Sequence, residues 1–348
     1  MSQYLVLNRI NIQNANCIAG FTWGFPAITN FLGFTHALQR KLSNDYNIEF
    51  DGCGVISHDY QLQVYKPKPK ANFEFIQSKF SYTFKPKFEK GRMKDPSIIE
   101  EGKMNLTASL VIKFSKELLA KEEKIKDFKS IVLEHCLANR LAGGVILSVA
   151  RVDLFSASTE KQQEQLIRKV KRLCMPGFVL MDRSEYLKKH FGNLIKSQPD
   201  TELLDAWLDF SAMKYQAIPK SQNDDETSTY DTDADWERVP KPGKGWSVPL
   251  MVGYKAISRE YKVGEIKNTR HSDADSTVIG TRFVEAVHSV GEWKSLHRIN
   301  NFDEIIWAYQ AKDDWYLCTQ NKISTTSQQL VDKDESETLN FADALANL

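Results

Sequence analysis

Residues 11–42, NIQNANCIAGFTWGFPAITNFLGFTHALQRKL, constrain the fold of this chain more than any other stretch. The residues before them, Tyr4 to Ile12, alternate as a strand does, with Leu5, Leu7, Ile10 and Ile12 inward. The strand runs into four amides, Asn11, Gln13, Asn14 and Asn16. Each offers donors and an acceptor, which suits base edges, sugar hydroxyls or a backbone turn. A Thr22-Trp23-Gly24-Phe25-Pro26 turn follows, and a helix is expected from Thr29 or Asn30, either of which is a capping residue. Phe31, Phe34, Leu38 and Leu42 share one helical face, while His36, Gln39, Arg40 and Lys41 fall mostly on another. The apolar face seats the helix; the cationic face is left for a partner.

Ile48–Val64 alternates again, with Gly52 and Gly54 marking a bulge or a close approach of backbone. Pro67, Pro69, Pro86 and Pro96 break any long element across 65–103. There Phe73, Phe75 and Phe84 interleave with Lys79, Lys85, Lys87, Lys90 and Arg92, an extended hairpin or long loop leaving the body. Met104–Phe114 reads as a strand, Glu122–Asn139 as a helix with Ile125, Phe128, Val132 and Cys136 inward, and Val145–Val152 as a strand. The order βαββαβ predicts an α+β, ferredoxin-like core with one open sheet face, of the kind RNA-recognition-motif proteins turn to single strands. Helices follow at Thr159–Cys174, Ser184–Ile195 and Thr201–Met213. The expected division is a core over 1–155 with its insertion at 65–103, and a helical segment over 156–218. An acidic linker over 219–235, a β-rich part over 236–320 packed on the core, and a frayed tail over 321–348 complete it.

With 348 residues, 42% of them hydrophobic, the chain can bury a real core. Its net charge of +1 names no partner, but the charge is segregated: residues 66–95 hold nine bases and three acids, residues 224–235 six acids and no base. Five scattered cysteines with no CxxC pair read as reduced thiols in a cytoplasmic protein, with no zinc or disulfide framework. No export signal or membrane-length apolar run is visible. No P-loop, HExxH or GxSxG occurs, and the Asp231–Asp235 triplet lacks the glycine and glutamate of a calcium loop. No cofactor, metal site or catalytic residue is expected.

Taken together the motifs are recognisable. NIQNAN (11–16), TWGFPAITNFLGFTHALQRKL (22–42), GCGVISH (52–58) and EEGKMNLTASLVI (100–112) carry the resemblance, continued by RLAGGVI (140–146), MPGFVLMDR (175–183), WSVPLMVGYKAIS (246–258) and TRFVEAVHSVGEWKSLHRI (281–299). The sequence resembles the small tail subunit of the type I-F CRISPR surveillance complex, in the RAMP superfamily. The resemblance implies an RNA-recognition-motif-like core, a protruding thumb over 65–103 and a glycine-rich loop. It also implies a non-catalytic role: binding the guide RNA's 5′ handle beside the large subunit that reads the protospacer-adjacent motif, at the end of a filament of backbone subunits. Contact with target DNA is then possible through the complex. The lysine-rich insertion, acidic linker and tail depart from the family pattern.

On that basis the expected RNA-binding residues are Asn11, Gln13, Asn14 and Asn16, with His36, Gln39 and Arg40 on the helix and Arg140, Gly143 and Gly144 in the glycine loop. Trp23 is either core beneath its turn or a stacking platform. Arg282, His297 and Arg298 face either RNA or the large subunit. Two rival readings stand beside this one: a metal-independent endoribonuclease using His36, and a purely protein–protein adaptor.

Overall fold

The computed structural model describes residues 2–79, 88–93, 98–118, 122–219, 234–267 and 280–320. The acidic stretch 220–233 and the tail from 321 lie outside them. The first half of the chain forms, in order, β1 (Ser2–Asn16), α1 (Ile28–Tyr46), β2 (Glu49–Leu62), β3 (Lys103–Lys116), α2 (Glu122–Leu137), β4 (Arg140–Leu141), β5 (Gly144–Ala157), α3 (Glu160–Cys174) and β6 (Phe178–Asp182). β1 is the central strand, paired antiparallel with β3 on one edge and β5 on the other. β2 lies beyond β3, giving the order β5-β1-β3-β2, with β4 added outside β5 and Phe178–Val179 of β6 outside β2. The protein is thus mixed α and β, with a large antiparallel sheet and five α-helices among the described residues.

Every apolar position assigned to the inner face of β1 and α1 is buried. α1 packs on β2, α2 on β5, and the two helices on each other. Tyr4 and Val6, on the opposite face of β1, are equally buried. They join Ile56, Val111, Leu166 and Val170 of α3, and Leu296, Ile299, Phe302 and Ile305 in one cluster. The expected open face is therefore covered along the first half of β1, by α3 and by a segment almost 300 residues downstream in sequence. The Tyr4 hydroxyl donates to Asp303 at 2.7 Å, and Lys113 pairs with the same carboxylate at 2.9 Å, pinning that segment to the sheet.

The start of α1 differs from expectation. The helix begins at Ile28 with Ala27 as its unassisted N-cap, and the Asn30 side chain donates to the Ala27 carbonyl at 3.3 Å instead of capping. Burial of Ile28 decides the boundary: the helix starts where its apolar face meets the core. By contrast Thr159 caps α3 through a reciprocal box with Gln162.

The glycines of β2 serve a close approach. A Cβ on Gly52 would stand 2.0 Å from the Trp307 carbonyl oxygen, and one on Gly54 2.8 Å from Ile305. There Trp307, fully buried, pairs with Cys53 and sends its indole N–H to the Leu180 carbonyl at 3.0 Å. In the insertion, Gln77–Lys79 pairs with Ile98–Glu100, and Phe88–Glu89 pairs with Arg92–Met93 around a Lys90–Gly91 turn.

A buried polar cluster joins β1, β2 and β3. Ser109, with no exposed surface, donates to Asn8 Oδ1 at 3.0 Å and meets His58 Nε2 at 2.6 Å. His58 Nδ1 reaches the Pro176 carbonyl at 2.7 Å. The Ser–His contact resembles a nucleophile and its base, but the hydroxyl is sealed from any substrate. All five cysteines are buried free thiols, and burial pushes Cys53, Cys136 and Cys318 up to about 12.

The chain divides into two compact units, and the second takes Asp182–Pro249 and Ser289–Trp293 among the described residues. Within it α4 (Ser184–Ser197) and α5 (Leu203–Ser211) pack through Leu187, Ala206 and Phe210 with Val290. Arg183 and Glu292 form a half-buried ion pair at 2.7 Å, and His190 meets Asp209 at 2.7 Å. In the first unit, Gly253–Lys255 of β7 (Trp246–Ala256) pairs with β9 (Trp315–Gln320), and β9 pairs with β8 (Trp307–Lys312).

Two measurements test this packing. Gly52→Ala should lose about 2 kcal/mol or more of unfolding free energy by overpacking. Gly33→Ala should gain ~0.5–1 kcal/mol, because its Cβ would meet nothing within 4 Å on a helix. Equal effects in denaturant titrations would contradict the packing. Burial, opposed by the bond to the Pro176 carbonyl, holds the His58 pKa below its ordinary value. The unfolded chain therefore takes the proton first, so stability is full above about pH 6.5 and declines below it. His58→Gln should shrink the stability difference between about pH 7.5 and about pH 5.

Candidate nucleic-acid interface

Two β-bulges shape β1. Between Leu7 and Ile10, and again between Ile12 and Ala15, β1 spends one residue more than β3. Arg9 and Asn14 carry the positive φ values, 48° and 57°. The first bulge keeps Leu7, Ile10 and Ile12 on the helix-covered side, opposite Leu110, Ala108 and Leu106, and leaves Asn11 and Gln13 exposed on the other face. The second bulge turns Asn14 out of the sheet, a conformation asparagine adopts with little strain. Its N–H is held by Asn105 Oδ1 at 3.3 Å, and its side-chain oxygen accepts from Gln63 Nε2.

Beside this bulge lies a groove of about 360 Å³, lined by Asn14, Gln63, Ile76, Glu101, Lys103, Arg140, Gly143, Gly144 and Val145. β4 and the start of β5 form its glycine wall as a tight hairpin. Arg140 pairs with Val145 and Leu141 with Gly144, around Ala142 and Gly143 at φ 51° and 73°. Asn16 ties this hairpin to β1 by donating its backbone N–H to the Ala142 carbonyl at 2.8 Å. The two glycines act differently. Gly143 is exposed, with nothing within 4 Å of an added Cβ, so a ligand can approach the backbone closely there. Gly144 is buried, and a Cβ there would lie 2.7 Å from Ala15 N and Gln13 O, so it serves packing.

The groove thus gathers Asn14, Arg140, Gly143 and Gly144 from the residues expected to bind RNA. It adds Gln63, Glu101 and Lys103, which sequence reading missed. The signal for them was positional: antiparallel pairing sets the end of β1 against the start of β3, as in Asn16 with Lys103, and the end of β2 beside it. Trp23 stands at the border, 41% exposed, its ring 4.6 Å from that of Phe75 and its edge over Gly102. It is neither core nor a bare platform.

The remaining candidates lie apart or are engaged. Asn16 uses its amide on the Ile18 backbone at 3.1 and 3.2 Å. On α1, Gln39 accepts from the Phe50 N–H at 2.8 Å, while His36 and Arg40 are exposed and His36 sits 6.2 Å from the Tyr309 ring. Arg282 spends its charge on Asp314 at 2.7 Å and Glu260 at 3.6 Å. His297 Nδ1 contacts Ser295 Oγ at 2.7 Å, and Arg298 is exposed. In the insertion Lys90, Arg92 and Phe73 are exposed and Lys79 ends a strand, whereas Phe84, Lys85 and Lys87 lie outside the described residues. No grouping of metal-ligating side chains occurs among the described residues. No helix there is long and apolar enough to cross a membrane.

Comparison with known proteins accounts for most of the chain. The family model described as CRISPR-associated protein (Cas_Csy2) matches residues 5–318. The CRISPR-associated protein Csy2 of Pseudomonas aeruginosa (strain UCBPP-PA14) is 33% identical over 319 residues, covering 89% of this chain and 92% of that one. The matched span takes in the bulged strand, the groove, the insertion and the strands around Trp307. The chain belongs to the Csy2 family of CRISPR-associated proteins.

Proposed function

We propose that this protein is a non-catalytic, guide-RNA-binding subunit of a type I-F CRISPR interference complex, holding the 5′ handle of the guide RNA in the groove at the Asn14 bulge. The observation that carries the reading is the groove itself. Amides, two cations and an exposed glycine turn from four separated segments line one cavity of about 360 Å³. Single-strand readers present amides and backbone groups to splayed bases and cations to phosphates. Family membership supports the reading, as does the strand order β5-β1-β3-β2 with helices after the first and third strands, the arrangement of a ferredoxin-like RAMP core. The insertion at 65–103, with Lys90 and Arg92 exposed beside the Lys90–Gly91 turn, is the thumb in this reading. The partners are the large subunit that reads the protospacer-adjacent motif and the first backbone subunit of the filament. The work is done in the cytoplasm, and target DNA is met through the assembled complex. Residues 1–155 then form the core that meets RNA.

The test is co-expression with a tagged large subunit and a repeat–spacer RNA, followed by footprinting of the RNA's 5′ end. Asn14→Ala/Arg140→Ala should weaken handle protection by about tenfold or more, at ~1.5–3 kcal/mol per charge-assisted contact. The slope of log affinity against log salt should become shallower by about 0.7 for the lost arginine. Arg282→Ala should leave protection unchanged, because its guanidinium is already spent on Asp314. Protection that survives the double substitution, with assembly intact, would assign the handle to the large subunit. Repeat RNA should stay uncut by wild type and His36→Ala alike.

A further inference from the structure

We propose that the cationic side of α3, with the Leu296–Arg298 turn beside it, is a second nucleic-acid surface whose ligand is the phosphate backbone of double-stranded DNA. α3 carries Arg168, Lys169, Lys171 and Arg172 within five residues. Leu166, Val170 and Cys174 are buried, so helical spacing puts Arg168 and Arg172 on the outer crest and Lys169 and Lys171 on opposite flanks. The Lys171 flank meets the 3-10 turn Leu296–Arg298, where its ammonium donates to the His297 carbonyl at 2.9 Å. Farther on, Asn300 and Asn301 share a groove with Gln163, Glu164 and Ile167. The segment therefore runs back along the helix. Leu296 and Ile299 are buried in one cluster with Leu166 and Val170, which leaves His297 and Arg298 exposed beside the cations of α3. The first bulge of β1 adds Arg9, which donates to the Met175 carbonyl at 3.1 Å, just past the end of the helix.

Two of these charges are spent locally, Arg168 on Glu164 at 3.4 Å and Lys171 on the His297 carbonyl. Lys169, Arg172 and Arg298 have no side-chain partner among the described residues. The helix dipole favours cations in a last turn, which accounts for Lys171 and Arg172. It accounts for neither Arg9 nor Arg298, which other elements bring to the same side. The ligand follows from what the surface lacks. Single-strand readers add aromatic faces on which unstacked bases lie. Neither α3 nor residues 296–301 carries a Phe, Tyr or Trp. Cations without stacking faces read phosphates alone, which a duplex presents while its bases are turned inward. Arginine suits this, since a guanidinium grips a phosphate through two parallel N–H bonds. Tyr4 and Val6, beneath α3, lie roughly 25 Å along β1 from Asn14, at ~3.3 Å per residue. A guide RNA in the groove thus leaves this surface to another ligand. The proposal rests on membership of an interference complex whose target is DNA, not on the groove.

The test titrates a short DNA duplex with no match to the guide into the assembled complex of this chain, the large subunit, backbone subunits and guide RNA. Arg172→Ala/Arg298→Ala should make the slope of log affinity against log salt shallower by about 1.8, at about 0.9 per lost phosphate contact. Between about 50 mM and about 200 mM salt, wild-type affinity should then fall about tenfold more than that of the variant. Arg172→Lys/Arg298→Lys keeps both charges and should keep the wild-type slope. Lys124→Ala/Lys126→Ala, exposed on α2 in the other cover, should change nothing. Assembly yield and 5′-end protection of the guide should be equal in all four complexes, which reports folding and the groove separately from the duplex. A wild-type slope in Arg172→Ala/Arg298→Ala, or a change matched by the α2 control, would overturn the proposal and leave handle binding intact. Loss of guide RNA with the duplex slope unchanged would assign the surface to RNA and overturn it too. A handle unprotected in wild type, with the duplex slope still shallower in the variant, would remove the groove reading and sustain this one.

Discussion

β1 is hydrogen-bonded along both edges and buried on both faces over its first half, and the other elements are arranged to make that possible. Backbone groups with no water to turn to must pair, and β3 and β5 supply the partners. Side chains on two faces need two covers. Helices α1 and α2 give one, and α3 with the 296–306 segment gives the other. The glycines of β2 follow from the second cover, since Ile305 and Trp307 come so close that a methyl group would collide. A sheet that a local reading leaves half open is in fact a central layer.

The groove arises where this burial runs out. Past Ile12 the strand leaves the second cover, its outward residues become exposed, and a bulge turns Asn14 aside. The anchoring is rigid on each side: Asn105 holds the bulge, Asn16 holds the glycine hairpin, and pairing with β1 holds Lys103. For the proposed role, a polar pocket framed by backbone hydrogen bonds leaves little ordering entropy to spend on binding. The amide-rich sequence NIQNAN thus divides its labour. Asn16 secures the frame, Asn14 faces the groove, and Asn11 and Gln13 remain on the open part of the sheet.

What the sequence disclosed and what it concealed follow one physical line. Periodicity exposed Phe31, Leu38, Phe128 and Val132 as core because each helix buries a single face set by its own spacing. Gly52 and Gly54 could be read as a close approach, but not what approaches, since Trp307 lies some 250 positions away. The cover over Tyr4 and Val6 was invisible for the same reason. Thr29 and Asn30 looked like caps by type, yet burial of Ile28 moved the helix start. In the site, residue type drew attention to four amides on one strand. Position, which only strand register supplies, added Gln63, Glu101 and Lys103 and tied up Gln39 and Arg282.

The bond between Tyr4 and Asp303 has a consequence for synthesis. The strands of the sheet's centre are complete once β5 ends at Ala157, but the residues that finish covering Tyr4 and Val6 emerge only after Leu296 to Ile306. At roughly 5–20 residues per second, a ribosome needs on the order of 10–30 s to deliver them. Throughout that interval the nascent chain carries an apolar face without its last cover, the condition under which growing chains associate with chaperones or with one another. Contacts closing over 299 positions also make the final docking a slow, non-local step. The stability of the finished sheet and the vulnerability of the unfinished one have the same origin.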